Sequence, residues 1–320
     1  MNLFIRGAVK TNQECPENRL TGIDSLADYI NEIVQLKSDE VEVGLDQKEV
    51  VFRGLSSASY ELTPSLAREP SEYWINSLVF VERDLISEAM QKCPDILNNN
   101  DLPVTKLAKL QHFGIPTRLM DVTANALVAL YFACQRSKEY PDEDGEVVAF
   151  SGFCVPALDT FANIIADTYR LTQNSFTPLE NYFYRAVKQN YAIILQYPNW
   201  ETEHENSINS FRTKISRPLL INSIECSTRQ KNQQGKFILF PNELYEGQEE
   251  WNVCDRLVRL SKDSASVIKR IIIPASIKST ILSQLSLLGI SKEFLFADSV
   301  EAVFAAVKKH QESRYEHVLP

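Results

Sequence analysis

Residues 111–121 constrain the fold most, because they join two helix-like segments through a stretch that cannot itself continue a helix. The first helix is predicted over 104–113, and Gly114 suits its C-terminal stop. Pro116 prevents the helix from continuing, so residues 117–121 are predicted to form a short extended link.

Two local signals flank this block. A helix rich in alanine and leucine is predicted from residue 124 to about 136, with Thr123 as its N-cap. Well before the block, an apolar run at 50–52 predicts a short buried strand. Arg53 stands at the predicted end of that strand, and Gly54 permits a tight turn there.

Further periodic segments predict additional helices and strands along the rest of the chain. Helices are predicted at 24–36, 73–92, 277–288 and 300–309, and strands at 146–150, 219–226, 236–240, 270–273 and 293–296. The predicted fold class is therefore α/β, of the mixed α+β kind, with a single main domain. Residues 1–45 are predicted as an N-terminal helical lead-in, and residues 46–320 as the main domain with a helical insertion at about 156–218.

Composition narrows the class of protein. The chain has 320 residues and is 44% hydrophobic, enough for a sizeable core, and its net charge of −9 argues against a dedicated nucleic-acid binder. The six cysteines and four histidines show no metal-site spacing, so no metal is expected and the thiols are read as reduced. No secretory signal and no apolar run of the ~20 residues that cross a bilayer is present, so we expect a cytoplasmic protein without a membrane partner.

Arg53 is the first candidate site residue. A guanidinium at a strand end can bind a phosphate or carboxylate through two hydrogen bonds, and Gly54 has no side chain to block the approach. The alternative is a structural ion pair with a core carboxylate such as Asp121. Both interpretations stay open from the sequence.

Residues 117–123 provide the second group of candidates. Two hydroxyls, a guanidinium and a carboxylate precede a predicted helix N-terminus. The free backbone amides and partial positive charge at a helix N-terminus favour the binding of a phosphate. Arg118 is the residue of this block expected to face a ligand, whereas Asp121 and Thr123 have the alternative role of capping the helix. We therefore expect Arg53, Arg118 and Asp121 to converge in one cleft.

Three polar residues near predicted element ends complete the candidates. His112 lies near a helix C-terminus, where the dipole favours a protonated imidazole, and is a candidate acid or base. Gln111 beside it is a candidate to position a ligand amide. Gln234, within 233–235, suits either a polar ligand edge or a hydrogen-bonded turn. A structural role is the alternative for each of them.

Two motifs carry a resemblance to a known family. They are Phe-Arg-Gly at 52–54 and the block at 111–121, and in both the chain resembles the FRG domain family, which is named for the first motif. The resemblance covers residues 49–150 and returns at 229–241. It departs from the family at three positions where leucine, tryptophan and glutamine are usual: Met120, Val122 and Leu55.

The order of segments also resembles, more weakly, ADP-ribosyltransferases of the arginine-serine-glutamate type. Those enzymes open with a strand ending in aromatic-Arg-Gly, continue with spaced hydroxyls before an alanine-rich helix, and close with a further strand. The resemblance implies a mixed, split sheet and a cleft for NAD. It also implies that Arg53 holds a phosphate or ribose hydroxyl, while Asp121 and neighbouring threonines position the nicotinamide side.

The resemblance thus implies roles for the candidate residues. The catalytic candidates are Arg53, Arg118, Asp121 and His112. The cofactor-binding candidates are Arg53, Gly54, Gln111, Thr117, Thr123 and Gln234. These enzymes carry a glutamate on the closing strand, but none stands in 236–240. Either another carboxylate such as Asp121 or Glu82 replaces it, or the site binds a nucleotide without turning it over.

The sequence and its resemblances favour two functions, while a third, an enzyme that acts on RNA or DNA, is disfavoured by the net charge of −9. The first is an NAD-dependent ADP-ribosyltransferase or NAD glycohydrolase, acting on a protein or nucleic-acid target as an intracellular toxin or phage-defence effector. The alternative is a non-catalytic module that binds a nucleotide-like small molecule or a protein.

Overall fold

The computed structural model describes residues 20–42, 48–68, 82–98, 100–137, 139–172, 176–189, 191–222, 227–248 and 250–297. Its strands are β1 (Leu20–Gly22), β2 (Glu49–Leu55), β3 (Leu119–Thr123), β4 (Gly145–Gly152), β5 (Cys154–Val155), β6 (Phe176–Pro178), β7 (Leu219–Ile221), β8 (Gly235–Leu239), β9 (Asn242–Glu246), β10 (Trp251–Leu257) and β11 (Val267–Ile273).

The helices lie mainly between these strands. They are α1 (Leu26–Glu42), α2 (Glu82–Lys92), α3 (Pro103–His112), α4 (Ala126–Ala133), α5 (Thr160–Ala166), α6 (Thr168–Leu171), α7 (Leu179–Gln189), α8 (Tyr191–Gln196), α9 (His204–Ile215), α10 (Thr228–Asn232), α11 (Lys278–Leu287) and α12 (Lys292–Leu295). Within the described ranges, no helix combines the length and apolar character needed to cross a bilayer.

Eight strands of the described chain form one mixed sheet in the order β1-β11-β4-β2-β3-β8-β7-β5. Neighbours in it are antiparallel except for the outer pairs β1–β11 and β5–β7, which are parallel. Strands β6, β10 and β9 form a separate antiparallel sheet. The mixed α/β class predicted from the sequence is confirmed.

The large sheet opens between β2 and β3. β2 pairs with β4 along its whole length, whereas it pairs with β3 only through Phe52 and Thr123. β3 in turn pairs with β8 along its whole length. Because two strands joined at one residue pair diverge beyond it, space opens beside Arg53 and Asp121.

Alternate residues of β2 enter different parts of the core. Phe52 packs in a cluster with the apolar residues of α4, while Val51 and Leu55 pack in a second cluster with residues of β3 and β4. A third cluster lies under the helices of the middle segment and includes residues of α3, α5, α7 and α9. β2 is therefore held on both faces, so the residues beside the opening have a rigid support.

Gly54 lies inside β2 and not at a turn. The strand continues through Leu55, so the expectation that it ends at Arg53 is wrong. A Cβ atom at residue 54 would lie 2.0 Å from the carbonyl oxygen of Ala129. The glycine is therefore needed for the close packing of α4 against β2, and not for a change of chain direction.

Asn125 caps α4 in place of Thr123. The Asn125 side chain accepts hydrogen bonds from two amides of the first turn, the nearer being that of Leu127 at 3.0 Å. Thr123 is the last residue of β3, so the cap was predicted two residues too early. Gly114 follows α3 with a φ of 84°, as its predicted role as a helix stop requires, and Gly289 follows α11 with the same φ.

The C-terminal part of the described chain differs from prediction in one element. Residues 293–296, predicted as a strand, largely belong to the short helix α12, which Ser291 caps by accepting a hydrogen bond from the Phe294 amide at 3.3 Å. The predicted helix at 300–309, the first part of that at 73–92, and residues 1–19 lie outside the described residues. The insertion at 156–218 holds helices α5 to α9, and its status as an insertion stays a prediction.

Candidate functional site

Arg53 bridges the opening in the sheet. Its Nη1 donates a hydrogen bond to the backbone carbonyl of Asp121 at 2.7 Å, next to the single residue pair that joins β2 and β3. The guanidinium thus spans two strands at the point where their backbone pairing stops. This contact gives Arg53 a structural role, but its partner is a backbone carbonyl and not the core carboxylate that the structural interpretation named.

The Arg53 guanidinium retains unused binding capacity. Its Nε is buried and has no hydrogen-bond partner within the described residues. A buried donor without an acceptor costs free energy, and a ligand that supplies an acceptor would remove this cost. The Asp121 carboxylate is 3.8 Å from Nη1, and the two side chains are 63% and 21% exposed respectively, so this ion pair is weak. Burial lowers the pKa of Arg53 from its ordinary value, the charge of Asp121 opposes this, and the charge of Arg68 adds to the lowering.

A small cavity of about 260 Å³ lies against Arg53 at the opening of the sheet. Strands β2, β3 and β8, helices α3 and α4, and residues 227–233 all contribute to its wall. Six of the candidate residues from the sequence meet here: Arg53, Gly54, Gln111, His112, Asp121 and Thr123. The small cavity is therefore the place where the two sequence motifs come together.

The last turn of α3 presents Gln111 and His112 to the small cavity. The Thr117 hydroxyl, which is buried, donates a hydrogen bond to Oε1 of Gln111. This bond orients the Gln111 amide and directs its NH₂ group away from Thr117. Thr117 does not line the small cavity, so it positions a neighbour and does not contact a ligand there.

Thr123 closes one wall of the small cavity. Its hydroxyl donates to the Gln233 carbonyl at 2.6 Å and accepts from the Asn125 amide at 2.9 Å. With both bonds made inside the protein, this hydroxyl connects β3 to the segment before β8. It therefore shapes the wall and is not free to bind a nicotinamide group.

Gln233 takes the place that the sequence assigned to Gln234. Gln234 is exposed, has a φ of 46°, and does not line the small cavity, whereas Gln233 does. Nε2 of Gln233 donates to the Leu295 carbonyl at 3.1 Å, which connects the cavity wall to α12. The turn interpretation of 233–235 is the one that fits the backbone.

Arg118 does not reach the small cavity, so the expected meeting of two guanidiniums through this residue is wrong. Its side chain is 1% exposed and forms a paired hydrogen bond with the Glu82 carboxylate, with Nε to Oε1 at 2.8 Å. Nη1 donates to Oδ1 of Asn242 at 2.7 Å. Burial alone would lower the pKa of Arg118, but the charge and hydrogen bonds of Glu82 outweigh it and raise that pKa.

A larger groove of about 1110 Å³ adjoins the small cavity. Three residues line both spaces: Arg53, Gly54 and Phe132. The groove also contains four further arginines: Arg68, Arg136, Arg256 and Arg259. Arg68 was not predicted as a site residue, because it lies in no motif and only the fold brings it to the groove that Arg53 borders.

The described residues give no sign of a metal centre. Within them, no group of three or more histidine, cysteine, aspartate or glutamate side chains is placed to hold an ion.

Comparison with known proteins supports one family. The FRG domain family model matches residues 48–142, so an FRG domain is present in this part of the chain. The match includes Arg53, Arg68, Gln111, His112 and Asp121. Neither the curated proteins nor the solved structures contain a match to this chain.

Proposed function

We propose that the small cavity binds one nucleoside end of an NAD-like nucleotide, with a phosphate against Arg53. The observation that carries this proposal is the buried, unpartnered Nε of Arg53 at the junction of two cavities. A phosphate oxygen would accept from this donor and from the guanidinium edge, and charge-assisted bonds of this kind are strong.

Asp121 is the carboxylate that suits catalysis in this cavity. Cleavage of the bond between nicotinamide and ribose leaves a cation-like ribose, which a nearby negative charge stabilises. Among the described residues that line the small cavity, Asp121 is the one acid. Glu82, the other carboxylate considered from the sequence, is unsuitable because it is buried against Arg118.

The proposed reaction is NAD glycohydrolysis or ADP-ribosyl transfer. The bond from ribose C1′ to nicotinamide breaks, and nicotinamide leaves with the electron pair. Water or an acceptor group bonds to C1′ and releases a proton to solvent. Consumption or transfer of this kind would suit a toxin or phage-defence effector, and that biological role is part of the proposal.

Nicotinamide release from NAD tests the proposal. The protein is incubated with NAD, and products are measured by mass spectrometry for the wild type, Arg53→Gln and Asp121→Asn. Asp95→Asn is a matched control, because Asp95 is exposed and lines neither cavity. We expect release by the wild type and the control, and a loss of at least about a hundredfold in both site variants. Release that survives both site substitutions would contradict the assignment.

A non-catalytic module is the second candidate, and one observation favours it. Catalysis requires reacting groups held in position, yet within the described residues no hydrogen bond holds the Asp121 carboxylate or the His112 ring. This candidate predicts that NAD or ADP-ribose raises the melting temperature of the protein while no nicotinamide is released.

A further inference from the structure

We propose that Arg68 adds a further guanidinium to the site beside Arg53, and that Arg53 and Arg68 together bind the diphosphate bridge of a dinucleotide. This inference rests on the nucleotide-binding cleft proposed above and adds a ligand group and a residue to it. The pair replaces the one expected from sequence, in which Arg118 was the partner of Arg53.

Both guanidiniums line the same space. Arg53 and Arg68 border the larger groove, and Arg53 also borders the small cavity. Nε of Arg68 donates to the Thr63 carbonyl at 3.3 Å, and within the described residues its two Nη groups have no partner. Those Nη groups are therefore available to an anion in the groove.

The backbone that carries Arg68 is anchored to the strand motif. Arg68 ends a short 3-10 turn, Ser65–Ala67, and the Leu66 amide donates to the Thr117 carbonyl at 3.1 Å. The Thr117 amide returns a hydrogen bond of 3.1 Å to the Ser65 hydroxyl. The turn is thereby fixed to the residues just before β3, the strand on the other side of the opening from Arg53.

Electrostatics favour an anion with more than one charge between the two arginines. Burial is the main cause of the lowered pKa of Arg53, and the charge of Arg68 adds to the lowering. The charge of Asp121 opposes the lowering and has a larger effect than that of Arg68, although its side chain is 63% exposed and lies 3.8 Å from Nη1 of Arg53. Four acids line the larger groove with its five arginines: Glu61, Glu139, Glu243 and Asp255. Glu243 is already paired with Arg256 at 3.3 Å. A diphosphate would neutralise both guanidiniums at once.

The sizes of the two spaces favour a dinucleotide over a mononucleotide. At about 260 Å³, the small cavity is below the range of about 300–1000 Å³ typical of pockets that enclose a drug-sized ligand. It therefore suits one nucleoside, and the larger groove of about 1110 Å³ has room for the rest. Arg53, Gly54 and Phe132 mark the junction, where the bridging phosphates of such a ligand would lie.

Calorimetric titration with inorganic pyrophosphate tests the arginine pair. The proteins are the wild type, Arg53→Gln, Arg68→Gln and the control Arg217→Gln, since Arg217 is exposed and lines neither space. Because Arg68 is exposed, we expect its substitution to leave the fold intact. Circular dichroism verifies that each variant is folded. We expect a loss of affinity of about tenfold or more in each site variant and an unchanged value in the control.

The same titration with inorganic phosphate tests the ligand class. We expect phosphate to bind about tenfold more weakly than pyrophosphate in the wild type, because it can neutralise only one guanidinium well. Absence of pyrophosphate binding, or equal binding by the wild type and Arg68→Gln, would overturn the inference. Pyrophosphate binding that depends on Arg68 without nicotinamide release would uphold it while rejecting the catalytic part of the proposed function.

Discussion

Two arginines of the FRG domain show how surroundings decide what a guanidinium can do. Arg118 has Glu82, Asn242 and the Phe240 carbonyl as acceptors, and its side chain is closed off from solvent. Arg53 makes one bond to a carbonyl and leaves Nε without a partner in the described structure. A ligand can therefore supply a hydrogen-bond acceptor that Arg53 lacks, whereas the Arg118 guanidinium already has its acceptors within the protein.

The first prediction concerns the Arg118–Glu82 pair. Glu82→Gln leaves the Arg118 charge buried without its counter-ion, so we expect the free energy of unfolding to fall by about 3–5 kcal/mol. Urea unfolding measures this value. Glu88→Gln is the control on the same helix: the Glu88–Lys92 pair is 62% and 72% exposed, so its loss should leave the free energy of unfolding nearly unchanged. Equal losses in the two variants would contradict a structural role for Arg118.

At the scale of elements, β2 and α4 form the support of the site. Gly54 lets the helix approach the strand so closely that Phe132, one turn further along α4, reaches the junction of the two spaces. The same approach places β2 where Arg53 can bridge to β3. The glycine of the Phe-Arg-Gly motif therefore has a packing role that its position next to Arg53 does not reveal.

The second prediction tests this packing. Gly54→Ala places a Cβ atom 2.0 Å from the Ala129 carbonyl oxygen, so the helix has to move and we expect a loss of about 1–3 kcal/mol of unfolding free energy. Gly152→Ala is the control, because Gly152 ends the neighbouring strand β4 and a Cβ there meets nothing within 4 Å. Thermal or urea unfolding compares the two. A Gly54→Ala protein as stable as the control would show that this contact does not limit packing.

Local signals predicted local structure well. Gly114 and Pro116 indicated the end of α3, and the structure has the chain leave the helix there. The destination of Arg118 could not be predicted in the same way, since its partners Glu82 and Asn242 are 36 and 124 residues distant. For the same reason Arg68 was missed, because its proximity to Arg53 depends on a turn anchored to Thr117.

At the scale of the whole molecule, one interruption in the sheet organises the site. The single residue pair between β2 and β3 opens a space that motifs from both ends of the FRG match line together. A second, larger space joins it at Arg53. An elongated ligand with its negative charge near the middle fits this arrangement.

A crystal structure of the Asp121→Asn protein with NAD tests whether the diphosphate of a dinucleotide binds at Arg53. The substitution removes the proposed catalytic charge and leaves both arginines in place, so the ligand should remain whole. We predict that the diphosphate contacts Arg53, including its Nε, and that one nucleoside fills the small cavity. NAD bound elsewhere with both spaces empty, or a ligand in the groove that leaves the Arg53 Nε unpartnered, would contradict the account.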